Sequence, residues 1–542
     1  MAQSTLHAPL LNDARSAAMR NFSANLGALA ELQPELIGII RRPAEEWTWI
    51  YGRDGALTAL SSDNQWLSDC SLPRRAAEEM LKNLNLSGRV SALLAPVHAW
   101  QIRRMLELMP PDQAVIVITP DASFLPMALH CVDFSEELFA HRLFFASGEN
   151  YAQQLTSLFD QYPGLPTPSV FIRPPTTLEH IAQPLIESST QIFTKSNASR
   201  SDRAPVHQPR ADIQRVCVIA PSIFRLWQDA GTVLADVLAS SPALDSVSFD
   251  PDRPTSASNL ALATAMRDCD ALVAANYARA HAPAKMLSPE TPWITWITLP
   301  TLPDGSKSAP HDRIILADPT WAKLALDAGW TKEQISIAAW PAVQLPPPPA
   351  DSIGLIADTL PIRTDIDSET FKYSSHMVLW ELIANELPNN PLLAAENAEA
   401  YLDSRMTQLS ISPEGFNRSF FIEHLIMPAV HQGLARWIMS AKLPLKLFGN
   451  GWDLLPEFSA HSSGPVESRQ SLLHAAASVQ RLISPALDNT LHPIDAFRRP
   501  LIRPTKGTKE TFLRTLSNPP PPHPTRPILT PDLLQSLLHP KI

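Results

Sequence analysis

Glycine is scarce in this 542-residue chain: 17 residues, about 3%, against roughly 7% in ordinary globular proteins. A chain so short of the residue that lets backbone approach a phosphate cannot hold several Gly-rich nucleotide loops. Cysteine is scarcer still. Cys70, Cys131, Cys217 and Cys269 stand far apart, with no C-x-x-C pair and no histidines at metal spacing. That excludes a structural zinc site and fits the reduced, buried thiols of a cytoplasmic protein. Positive charge is not in excess: 44 Lys and Arg against 54 Asp and Glu leave a net charge of −10. A nucleic-acid footprint needs a basic face, so no nucleic-acid partner is expected. No run of about 20 apolar residues occurs, so no transmembrane segment is expected. The opening MAQSTLHAPLLNDARSAAMRN lacks the apolar stretch of a secretion signal, and none is expected there. Walker, G-x-S-x-G and H-E-x-x-H strings are all absent.

What is present describes a folded, multi-domain α/β protein. Apolar residues make up 45% and charged residues 18%, which excludes global disorder and a coiled-coil rod. At about 100–200 residues per domain the length predicts three domains, with four the alternative. Proline is abundant, 53 residues, and it punctuates the chain. The polar stretch 196–210 (SNASRSDRAPVHQPR) reads as a linker, and Leu345–Ala350 (LPPPPA) as a semi-rigid one. They mark an N-terminal domain (1–195), a middle domain (211–345) and a C-terminal domain (351–542).

In the N-terminal domain, Phe22, Leu26, Leu29 and Leu32 fall on one helix face, and Trp47–Tyr51 with Ala56–Leu60 reads as a β-rich piece. Val90–Leu94, Ala114–Thr119 (AVIVIT) and Leu143–Ala146 read as buried strands alternating with helices, which implies a parallel Rossmann-like sheet. The middle domain repeats this grammar, with strands at Val216–Ala220, Ser246–Phe249, Ala271–Ala274, Trp293–Ile297, Arg313–Ala317 and Ile335–Ala338. Its tryptophans (Trp293, Trp296, Trp321, Trp330 and Trp340) read first as core residues and second as sugar-stacking surfaces. The C-terminal domain opens with a helical insert, about 371–440. A smaller α/β piece follows, with strands at Leu443–Leu447 and Val479–Ile483.

The string LFGNGWDLLPEF puts Gly449-Asn450-Gly451-Trp452 at the end of a strand, where two glycines allow a tight turn and close backbone approach. Gly464 opens a second loop beside it. On spacing alone, a plain strand-to-helix turn explains this string as well as a ligand loop does.

Two resemblances sharpen the reading. NFSANLGALAELQPELIG, from Asn21, resembles the opening of bacterial motility-accessory-factor proteins, which are linked to flagellin glycosylation; Ala92–Gly148 is similar to the Rossmann-like part that follows there. That family has a Gly-rich first turn. Here the turn is Ala95-Pro96-Val97-His98, so phosphate binding is not expected and the domain reads as a recognition or scaffold unit. Asp121 reads first as a strand-end or cap residue and second as a ribose ligand.

The strand–F-G-x-G-W–G-P-V–helix order, together with ADPTWAKLALDAGWTKEQISIAAWP (Ala317–Pro341), is similar to glycosyltransferases related to spore-maturation proteins. That resemblance implies two facing Rossmann-like domains of GT-B type, with the N-terminal domain added to them. It implies a metal-independent hexosyl transfer from a nucleotide sugar, as co-substrate, to a protein or surface glycan. A catalytically silent scaffold is the alternative. The resemblance places donor binding at Gly449, Asn450, Gly451, Trp452, Gly464, His492, Asp495 and Arg498, with His281 a candidate general base. The family's aspartates after WITWI are replaced by Thr298-Leu299-Pro300 here.

Overall fold

A computed structural model describes residues 8–40, 47–82, 88–175, 177–202, 213–223, 229–282, 288–299, 301–348, 351–362, 373–395, 397–414, 416–485, 493–497, 499–519 and 527–538. The chain divides into two compact units. The first holds Met1–Gln208, Phe249–Asp268 and Pro283–Ser288; the second holds the rest.

Unit 1 begins with a long helix, Ala8–Leu32, and an antiparallel hairpin of β1 (Thr48–Tyr51) and β2 (Leu57–Leu60). β3 (Val90–Leu94), β4 (Ala114–Thr119), β5 (Leu143–Ser147) and β6 (Val170–Ile172) form a parallel sheet in the order β5-β4-β3-β6. β3, β4 and β5 are buried along their whole length, so their apolar runs do not alternate. The order reverses at β3, which puts a topological switch between β3 and β6.

The expected linker 196–210 is not a linker in its first part. A helix, Glu179–Asp202, runs into it, with residues 203–210 outside the described residues. Ala182, Leu185 and Phe193 are buried, and Arg200, 8% exposed, donates to the carbonyls of Pro163 (3.1 Å) and Leu165 (2.6 Å). Polar composition hid a helix held by one buried cation.

Unit 2 holds two sheets. The larger contains β7 (Arg215–Ile219), β8 (Asp245–Phe249), β9 (Ala271–Ala275), β10 (Trp293–Ile297), β11 (Arg313–Leu316) and β12 (Ile335–Ile337), in the order β12-β11-β10-β9-β7-β8. β12, β11, β10, β9 and β7 pair in parallel. The smaller sheet contains β13 (Ile353–Ile356), β14 (Leu445–Phe448), β15 (Arg481–Ile483) and β16 (Leu501–Ile502), all parallel, in the order β14-β13-β15-β16.

The insert is helical. It includes Ser374–Glu386, Ala398–Gln408 and a continuous run from Arg418 to Ser440 whose middle, Ile422–Ile426, is a π turn. Trp293, Trp296, Trp321, Trp330 and Trp340 are all buried, so the core reading of these rings holds. The last described segment lies on the larger sheet's core: Ala339 bridges Ile528, and Leu529, Leu534 and Leu538 pack there. The architecture is mixed α/β with Rossmann-like parallel sheets. No helix among the described residues is long and apolar enough to cross a membrane.

Candidate functional site

The smaller sheet of unit 2 carries the loop that the sequence singled out. β14 ends at Phe448, and Gly449 and Gly451 follow with φ of +123° and +87°, a region costly for any residue with a Cβ. Both glycines do permit close approach, but of the protein's own chain. A Cβ on Gly449 would lie 2.3 Å from the Ala357 carbonyl oxygen, and one on Gly451 2.0 Å from that of Thr359. The two strand ends are laced together: Ala357 donates to Phe448 (2.9 Å), Thr359 to Asn450 (2.9 Å), and the Trp452 indole to Ala357 (2.7 Å).

Trp452 is wholly buried, edge-on to Phe458 at 5.2 Å, so its ring serves the core. Asn450 is exposed. Its amide N–H and its side chain both reach one carboxylate oxygen of Asp358, at 2.6 and 3.2 Å. Gly464, with φ of +99°, accepts from the Gly449 amide at 3.0 Å and has open space where a Cβ would be. Five of the eight expected donor residues therefore meet in one double loop. His492 and Arg498 lie outside the described residues, as does the side chain of Asp495, whose backbone is in the turn Pro493–Ala496.

Sequence reasoning missed the groups that support this loop. His431 is buried in the helix Met427–Ser440, its Nε2 at 2.9 Å from the Pro485 carbonyl, and burial pushes its pKa down. The next residue, Gln432, donates to the Thr359 hydroxyl (3.0 Å) and the Leu360 carbonyl (2.8 Å). One helix thus braces the chain leaving β13 and the chain leaving β15. The available signal was a polar His-Gln pair inside an otherwise apolar helical stretch, PAVHQGLA.

Arg469 was also missed. It is the first residue of the helix Arg469–Ala477, which follows β14, and Ser468 caps that helix. Its guanidinium lies 2.8 Å from Asp236 and 3.9 Å from Asp229. Asp229 immediately precedes the helix Ala230–Ala239, which follows β7. Only 4% of the Asp229 side chain is exposed, and burial raises its pKa to about 6 although Arg469 pulls it down. Val233, Trp340, Val343, Leu472 and Phe497 close around the pair, leaving a cavity of about 20 Å³.

His281 is exposed in the turn after β9, and its Nδ1 accepts from the Ala278 amide at 3.1 Å. A neutral ring that accepts at Nδ1 carries its proton on Nε2.

A far larger cleft, about 910 Å³, lies in unit 1. It sits at the carboxyl ends of β3, β4 and β6, lined by residues 95–99, by 119–123 and by Thr177, Leu178 and Ile181. The ligand role that the sequence offered there is the second reading of Asp121, as a ribose ligand.

No protein-family model matches the chain, and no curated protein matches it. Among solved structures it is similar to the MAf glycosyltransferase from Magnetospirillum magneticum AMB-1. The identity is 14%, the TM-score 0.25, and the match covers 60% of this chain and 57% of that one. The chain thus spans little more than half of that protein.

Proposed function

We propose that this chain is a glycosyltransferase that moves a hexosyl group from a nucleotide sugar to a hydroxyl on a protein or surface glycan. The two sheets of unit 2 would be the acceptor and donor walls of its cleft. The observation that carries this reading is the Arg469–Asp229 contact. Each residue stands at the start of a helix that leaves the carboxyl end of a parallel strand, β14 and β7 respectively. Ligands of parallel α/β sheets bind at that edge, so the pair brings two ligand edges face to face.

In this reading the donor diphosphate takes Arg469 as a cationic partner in place of Asp229 and Asp236. The amides following Ser468 and the Asn450 side chain supply further donors. The leaving diphosphate is neutralised by these groups without a metal. For His281 to act as base, its ring must release the Ala278 amide and carry its proton on Nδ1; Nε2 then accepts the acceptor hydroxyl's proton as that oxygen bonds to the anomeric carbon and the bond to the diphosphate breaks. Gly449, Gly451 and Trp452 hold the loop's shape.

Calorimetry with UDP and GDP tests the donor site. Arg469→Ala should weaken diphosphate binding by at least about tenfold while the fold is kept, a loss of roughly 1.4 kcal/mol. Product-diphosphate release from a nucleotide sugar should fall with it.

A second reading, a catalytically silent binding scaffold, is favoured by one observation. The close backbone approach that Gly449 and Gly451 allow is already filled by Ala357 and Thr359. Failure of the folded protein to bind either diphosphate would leave that reading standing alone.

A further inference from the structure

The small cavity beside Arg469 gathers two buried polar atoms that have no hydrogen-bond partner: Oδ1 of Asp229 and Nε1 of Trp340, which lies just beyond β12. Both residues are buried, Asp229 at 8% exposed or less even with its backbone counted, and Trp340 at 5%. The cavity measures about 20 Å³. One water needs about 10–15 Å³ and two to four polar partners. The indole N–H only donates and the carboxylate oxygen only accepts, so a single water serves both: it accepts from Trp340 and donates to Asp229.

The other oxygen of Asp229 faces the Arg469 guanidinium at 3.9 Å, and the Thr232 hydroxyl also favours the charged form. Asp236, on the same helix, shares Arg469 at 2.8 Å and pushes the other way. No further described lining residue carries a charge. Of the elements around the helix Ala230–Ala239, β9 carries none, and β7 brings Arg215, which pairs with Asp245 at the strand's amino end. Asp532 of the helix Pro531–Leu538 and His474 of the helix Arg469–Ala477 lie outside the lining.

Asp229 therefore keeps a buried charge beside one cation, and a diphosphate at this edge needs that same cation. With Arg469 in place, burial already raises the Asp229 pKa to about 6. Losing the cation and gaining an anion both push it higher. A sealed carboxylate without a partner is costly, and a proton removes that cost. Resting on the reading of Arg469 as the diphosphate's partner, we propose that Asp229 takes up one proton when the diphosphate draws Arg469 away, and that a water between Trp340 and Asp229 holds the charged form before this exchange. The proton comes from solvent and leaves a neutral carboxyl, so one unit of the incoming negative charge is offset.

The test is calorimetry of UDP and GDP with the full chain, in buffers of different ionisation enthalpy between pH 6 and 8. Terminal phosphates titrate near pH 6 themselves, so the parent is read against Asp229→Asn. At pH 7 the parent should take up at least about 0.5 proton more than that variant. From pH 8 to 6.5 its affinity should rise about tenfold more than the variant's. Trp340→Phe removes the water's donor, which raises the Asp229 pKa in the free protein. It should lower the uptake at pH 7, and add no change on top of Asp229→Asn. Equal uptake in parent and Asp229→Asn, with binding still lost in Arg469→Ala, would overturn the coupling and leave the diphosphate site standing. Uptake untouched by Trp340→Phe would overturn the water link. Binding of neither diphosphate at about 1 mM would overturn the coupling and the donor site together.

Discussion

A single methyl group at Gly451 meets the Thr359 carbonyl oxygen at 2.0 Å, on a backbone already at φ +87°. Gly451→Val should therefore destabilise unit 2 by at least about 1–3 kcal/mol, visible as a lower urea midpoint. The clash is with β13's own continuation, so diphosphate binding per folded molecule should be unchanged. Affinity lost beyond the unfolded fraction would instead place a ligand against this turn. The sequence made both glycines legible because they are rare and flank a strand end. Their true neighbours, Ala357 and Thr359, were illegible because they stand some 90 residues upstream, across the helical insert. Arg469 was hidden for the same reason, since an isolated arginine shows its role only when Asp229 and Asp236 come to face it.

At the scale of elements, the long β-branched runs were read correctly because burial on both faces leaves no polar alternation to confuse them. β13 was missed. It has four residues, with Gly354 in the middle, and lies just after four prolines. Glycine weakens a strand pattern, yet here it is needed: a Cβ would come 2.9 Å from a Val479 methyl. The helix Pro531–Leu538 packs against a partner far from it in the sequence. Its Leu534 is fully buried among the strands and helices of the larger sheet. Leu534→Ala should cost about 2–5 kcal/mol, as a large-to-small change in a packed core does. Limited proteolysis should then cut unit 2 faster. An unchanged rate would mean that the helix only rests on that core. The helix Glu179–Asp202 offers a parallel case in unit 1. Arg200→Ala frees the buried Leu165 carbonyl and the half-buried Pro163 carbonyl, so thermal unfolding of that unit should come earlier.

For the whole molecule, acid is the informative stress, because buried histidines and one buried carboxyl pull in opposite directions. Burial lowers the pKa of His98, His130 and His141 in unit 1 and of His376 and His431 in unit 2. A histidine held neutral binds fewer protons folded than unfolded. Its contribution is complete above pH 6.5 and is lost as pH falls toward the folded value, about 4 for His98. For His98 alone the loss is about 3 kcal/mol by pH 4. Asp229 has the opposite sign. Its pKa is raised to about 6 from 3.8, so its charged form costs stability as pH rises through that window and costs nothing below it.

Wild-type protein should therefore lose stability from pH 6.5 to 4, with Asp229 softening the loss in unit 2. His98→Asn should flatten the pH dependence of unit 1. Asp229→Asn should steepen that of unit 2 while raising its stability near pH 7, because the buried charge is gone. Urea unfolding of the three proteins at several pH values reads both effects. If Asp229→Asn instead lowers stability near pH 7 by more than it does at pH 4, attraction to Arg469 outweighs desolvation. The contact between the two helix starts would then be a net stabilising salt bridge rather than a charged pair ready to give way to an anionic ligand.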